Sequence, residues 1–224
     1  ALHLGDEPLV ASCVPVIVPS LFNLTLLWQR LPEPAAAKNG GLLLAASDFN
    51  DRYQALPAVA QEAAFMAEII GSTGEQLVET AATWHDLAAL AHGEEGLARV
   101  SFWHVATDAF HDGLSGRLSG LALYDRDIWL DELAQLAPLP TLVMLSACSG
   151  SSSLVFTGDE HVSLTMTCLM AGAQTVVGTI WPLLDQQAPD LVRRFYRHWE
   201  PGTSVSRALA MAQREALASG QDVV

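Results

Sequence analysis

Thr141-Leu142-Val143-Met144-Leu145-Ser146-Ala147-Cys148-Ser149-Gly150 is the stretch whose reading decides the fold. Thr141 to Ala147 carries no charge and sits between Pro140 and Gly150, so it predicts a buried strand. A strand that is apolar throughout, instead of alternating, has both faces covered, which is the habit of parallel sheets. The run ends on Cys148, before a Ser/Gly-rich loop whose amides are free to hold an oxyanion. A lone cysteine is more often a small buried hydrophobe. Ser149 and Gly150 tilt this one modestly toward chemistry.

The same pattern extends in both directions. Leu42 to Ala46, Gln76 to Thr80, Arg99 to Thr107 and Gln174 to Ile180 predict further strands. Val14 to Val18 and Leu121 to Tyr124 predict shorter ones. Helices are expected at Ser20 to Gln29, Leu56 to Ile70, Thr83 to His92, Trp129 to Leu136, His161 to Ala171, Gln186 to Trp199 and Ser204 to Leu217. Strands alternating with helices give an α/β domain with a mostly parallel sheet and helices on both faces. Pro32 to Gly41 reads as a connection inside one domain covering 1–224. The chain opens at Ala1 and enters structured sequence almost at once, so the expectation is a piece of a longer protein.

Composition narrows the class. Half of the 224 residues are hydrophobic and 16% are charged, as in a packed globular domain. The net charge of −14 argues against nucleic acid or anionic membrane as partner, and is compatible with cationic peptides. Acidic surfaces mostly serve solubility. Three scattered cysteines, Cys13, Cys148 and Cys168, form no disulfide framework and no CxxC zinc site. A reducing cytoplasm is the expected compartment. There is no membrane span, no signal peptide, no Walker A motif and no dinucleotide fingerprint, and no cofactor is expected.

Ligand crevices in open parallel sheets lie beyond the carboxyl ends of the strands. One expected strand ends at Cys148. The other ends His104-Val105-Ala106-Thr107-Asp108, followed by Ala109-Phe110-His111-Asp112. A nucleophilic cysteine needs a base, usually histidine. His104 lies inside its strand and reads as a satisfied core histidine. His111 and Asp112 are expected in a loop. The set His104, Asp108, His111 and Asp112 can also be read as metal ligands, but its spacing matches no tetrahedral motif. Asp159, Glu160 and Asp185 follow strand ends; singly they read as caps or surface charges, and together as an anionic pocket for a basic side chain.

The run from Thr141 to Gly150 resembles the nucleophile strand of CHAT domains, caspase-like cysteine peptidases related to separases. Gly158-Asp159-Glu160, Ala171-Gly172-Ala173, Val176-Val177, Trp181-Pro182 and Asp185 continue the pattern in order. Phe195-Tyr196, Gly202 to Ala208 and Ala212-Gln213 fit the closing helices. Pro19-Ser20-Leu21 and Leu56-Pro57-Ala58 with Glu62 fit upstream. The resemblance implies a caspase-like three-layer sandwich and a Cys-His dyad that cleaves peptide or protein substrates. It also implies a fused N-terminal sensor or helical-repeat region, as in bacterial multidomain proteins.

In that family the histidine strand ends His-x-Ala-Thr-His-Gly. Here the catalytic histidine position is Asp108 and the glycine beside it is Ala109. The resemblance assigns Cys148 as nucleophile, and a similar acidic pocket in separase-like relatives supports Asp159, Glu160 and Asp185 as substrate-binding, with Ser149 and Gly150 beside the nucleophile. Three function classes follow. One is a degenerate or regulated protease module. Another is an active cysteine endopeptidase that cleaves after Arg or Lys with His111 as substitute base. The third is a metal-dependent hydrolase.

Overall fold

The computed structural model describes residues 3–4, 7–17, 25, 29, 40–112, 118–147, 158–179 and 188–220; at 3–4, 111–112, 118, 147 and 158–163 it describes the backbone alone. Two short antiparallel strands, β1 (His3–Leu4) and β2 (Glu7–Pro8), lead into one helical turn, α1 (Leu9–Ser12). The expected strand at Val14 to Val18 is not formed over its described part. Residues 14–17 have no regular structure, and Val14, Val16 and Ile17 are exposed. Pro15 removes a ladder donor, and among the described residues no neighbouring strand pairs with the segment. Most of the expected helix at Ser20 to Gln29 lies outside the described residues.

The core is a five-stranded parallel sheet. Its members are β3 (Gly41–Ala45), β4 (Glu75–Val78), β5 (Phe102–Thr107), then β9 (Leu142–Ala147) and β10 (Thr175–Val177), in the order β10-β9-β5-β3-β4. Between β5 and β9 the chain builds a separate antiparallel sheet from β6 (Ala109–Asp112), β7 (Leu118–Ala122) and β8 (Asp127–Trp129). Leu42, Leu43 and Leu44 are fully buried or nearly so, as their uninterrupted apolar run requires.

Helices cover both faces. On one lie α2 (Pro57–Ile70), α6 (Ala188–His198) and α7 (Val205–Ala218). Phe102 of β5 packs there against Tyr196 and Trp199. On the other lie α3 (Trp84–Ala91), α4 (Leu130–Gln135), α5 (Gly158–Met170) and the small sheet. The chain reverses direction across the sheet after β4, and right-handed crossovers then put the helices on opposite faces. The result is the three-layer sandwich expected. Thr83 caps α3 by accepting a hydrogen bond from Asp86 N at 3.1 Å. Arg214 on α7 ties down α1 by donating to the carbonyls of Val10 and Cys13 at 2.7 and 3.1 Å. Among the described residues no helix is long and apolar enough to cross a membrane.

Candidate active site

Strand order fixes where a ligand belongs. From β3 the chain steps outward to β4, then returns across β3 to β5 and continues to β9 and β10. The segments leaving β3 and β5 therefore diverge to opposite faces, and it is beyond the carboxyl ends of such a strand pair that open α/β sheets place their ligand crevice. Asp108 stands at this point, directly after β5, and is 2% exposed. Its carbonyl accepts from Ala122 N at 2.9 Å, and Thr107 Oγ1 donates to the Ala122 carbonyl. The small sheet is thus hung from the tip of β5.

Strands β5 and β9 are neighbours with Ala106 opposite Ser146 and Thr107 opposite Ala147. Both site strands accordingly end side by side. Cys148, the residue after Ala147, lies outside the described residues, as do Ser149, Gly150 and Asp185. Asp159 and Glu160 fall in the first turn of α5, where the backbone alone is described.

Two expectations are corrected. His111 and Asp112 are in strand β6, paired with Ser119 and Leu118, and not in a loop. Antiparallel pairing with β7 supplies the backbone partners that a loop reading leaves out. His104 is also withdrawn from the metal reading. Its Nε2 lies 2.6 Å from Glu62 Oε1 on α2, and its Nδ1 lies 3.1 Å from the Tyr196 hydroxyl on α6. A carboxylate only accepts, so Nε2 carries the hydrogen toward Glu62, and in the neutral tautomer this fixes, Nδ1 accepts from Tyr196. Both ring nitrogens are spent, and all three groups are buried. Burial, with help from the Glu62 charge, raises the Tyr196 phenol well above its ordinary pKa, which keeps it a donor. No group of three potential metal ligands occurs among the described residues.

The segment after β3 forms the other wall of the crevice. Phe49 and Leu56 are buried in the core, and the Ser47 carbonyl accepts from Leu56 N at 2.9 Å to close the base between them. Glu79, just past β4, receives Ser47 Oγ at 2.6 Å and Ser47 N at 3.2 Å. Arg52 and Tyr53 reach across to the small sheet. Arg52 pairs with Asp127 and donates to the carbonyls of Leu123 and Tyr124, while Tyr53 Oη donates to Asp127 Oδ2 at 2.8 Å. The Tyr53 ring stacks on Phe110 at 6.3 Å, and Phe110 meets Trp129 edge-on at 4.9 Å. Burial and the hydrogen bond and charge of Asp127 raise the Tyr53 pKa; Arg52 opposes this, and the Asp108 charge adds to it.

Asn50, Asp51 and Glu79 have φ of 54°, 63° and 51°, and are the non-glycine residues with left-handed backbone among those described. Asn and Asp tolerate this conformation, but such residues still cost about 1–3 kcal/mol each and gather at functional sites. Nothing in the sequence marks this loop as part of the site. Its only signal is Asn50-Asp51, a pair suited to left-handed turns.

The CHAT domain family model matches residues 1–223. The chain therefore belongs to the CHAT family, and is a caspase-like, peptidase-related module. A comparison with curated proteins gives no match.

Proposed function

We propose that this CHAT domain has lost conventional peptidase catalysis and works as a binding or regulatory module. The observation that carries the reading is Asp108, a buried carboxyl at the tip of β5, where the family carries its catalytic histidine. A carboxyl of ordinary pKa about 3.9 facing a thiol of about 8.5 is mismatched by about 4.6 units, or about 6 kcal/mol of proton-transfer driving force. An aspartate anion beside a thiol also disfavours the thiolate by like-charge repulsion. An unaided cysteine thiol is only a few per cent thiolate at neutral pH. The substitute-base reading with His111 draws no support from the backbone. His111 is three residues beyond Asp108, about 10 Å along a strand, and its backbone is paired to Ser119.

The substrate class that suits the charge is a basic peptide, held by Asp159, Glu160 and Asp185. Two carboxylates can take a guanidinium bidentately. A fused N-terminal region would supply the signal.

The test is a peptidase assay on four versions of the chain: unmodified, Asp108→His with Ala109→Gly, His111→Ala and Cys148→Ala. The unmodified chain should be inactive. The double variant should gain turnover, and general base catalysis, typically worth about 10² to 10⁴-fold, sets the scale. In a fluorogenic panel the restored activity should favour Arg or Lys at the cleaved position, and best cleavage after Asp would refute the basic preference. Robust turnover by the unmodified chain, dependent on Cys148 and lost in His111→Ala, overturns the degenerate-site reading.

A further inference from the structure

We infer that Asn50–Ala55 is a strap across the tip of β5, latched by Arg52 on Asp127, which opens to admit a ligand to the crevice at Asp108. Four observations converge on this segment. The strap is fastened at both roots, because Phe49 and Leu56 plug into the core and the Ser47 carbonyl holds Leu56 N. Its backbone is bent between those roots, since Asn50 and Asp51 are left-handed in succession. Its free part is exposed, apart from Tyr53, which is partly buried. Its grip on the small sheet is made by side chains alone: Arg52 to Asp127 and to the carbonyls of Leu123 and Tyr124, and Tyr53 to Asp127.

The third residue with left-handed backbone, Glu79, reinforces the root by accepting through its carboxylate from Ser47 and Asp48 N. Backbone strain, a fixed root and a removable side-chain latch are the parts of a two-position loop. The side chains of Arg52 and Asp127 remain 29% and 25% exposed, so water competes for the latch. Releasing both Arg52 and the Tyr53 hydroxyl from Asp127 leaves the Tyr53 ring held to the small sheet only by its stacking on Phe110, two residues beyond Asp108. The strap stands where the crevice between β3 and β5 opens, and no other described segment crosses from β3 to the small sheet with this combination.

The strap rests on the strand tips being the ligand crevice, and is indifferent to whether a peptide is cut there. A domain that fails the peptidase assay can still pass the following test. Arg52→Ala and the near-isosteric Asp127→Asn are made in the full chain. Hydrogen exchange is followed in peptides covering 50–55 and β5, and iodoacetamide labelling is mapped by mass spectrometry. The cysteines serve as internal references: Cys13 is exposed, and Cys168 is buried with its thiol pushed up to about 12 by that burial. Both variants should speed exchange at 50–55 by about tenfold and leave β5 unchanged. Cys13 should label at its usual rate and Cys168 should stay protected, so that the opening is confined to the strap. Unchanged exchange at 50–55, or Cys168 labelling that rises in step with that exchange, overturns the strap.

Discussion

Truncating Glu62 to alanine leaves Nε2–H of His104 buried without its acceptor, in a layer that water does not reach. A buried donor left unsatisfied costs about 1–3 kcal/mol, and the cavity left by the truncated side chain adds to that. Tyr196→Phe removes only a neutral donor and should cost about 1–3 kcal/mol. Urea denaturation of the two variants measures the difference, and equal losses would contradict the roles assigned. His104 was legible as a core histidine because it interrupts an apolar strand. Its partners were not, since Glu62 and Tyr196 stand 42 and 92 residues away in sequence. Asp108 was legible as a strand-tip residue, and its burial was not. The phenols of Tyr53 and Tyr196 also carry a pH consequence. Both have folded pKa values raised, chiefly by burial, above the unfolded value of about 10. The folded state holds those protons more tightly, so their stabilisation is complete below pH about 10 and is lost as pH rises beyond it. Ultraviolet titration should show late tyrosinate formation that coincides with alkaline unfolding. Complete ionisation near pH 10 with the fold intact would contradict it.

At the scale of elements, apolar strands announce themselves and half-polar ones do not. β3, β5 and β9 were read to within a few residues because their runs are long and uncharged. The β6-β7-β8 sheet was largely missed. Its strands are short, β6 and β8 carry polar residues, and their pairing is settled by the partner strand. Gly120 shows what that pairing demands. A Cβ there would lie 2.1 Å from the Ile128 carbonyl oxygen and 2.6 Å from Phe110 Cζ. The backbone of β8 cannot retreat without losing its ladder, so Gly120→Ala should cost at least about 1–3 kcal/mol. Faster hydrogen exchange over Asp127–Trp129, with β3 unaffected, would locate the damage in this sheet. Wild-type exchange in the variant would refute it. Because Asp127 anchors the strap, the same substitution should also loosen residues 50–55.

For the whole molecule, the sequence carried the layer order, since alternating strands and helices permit few right-handed arrangements. It did not carry the reversal after β4, which puts β3 beside β5 and so decides which strand ends meet. That neighbourhood has a cost in time. Gly41 pairs with Phe102, about 60 residues further along, and Phe102 pairs with Leu142 about 40 beyond that. Loops of this length must close before the central strands gain anything from pairing, so the chain belongs among slow folders. Until they close, Leu42 to Leu44 and Val143 to Leu145 stay open to their counterparts in other chains. Recovery from denaturant should therefore be governed by protein concentration, with dilute refolding returning soluble chain and concentrated refolding returning aggregate.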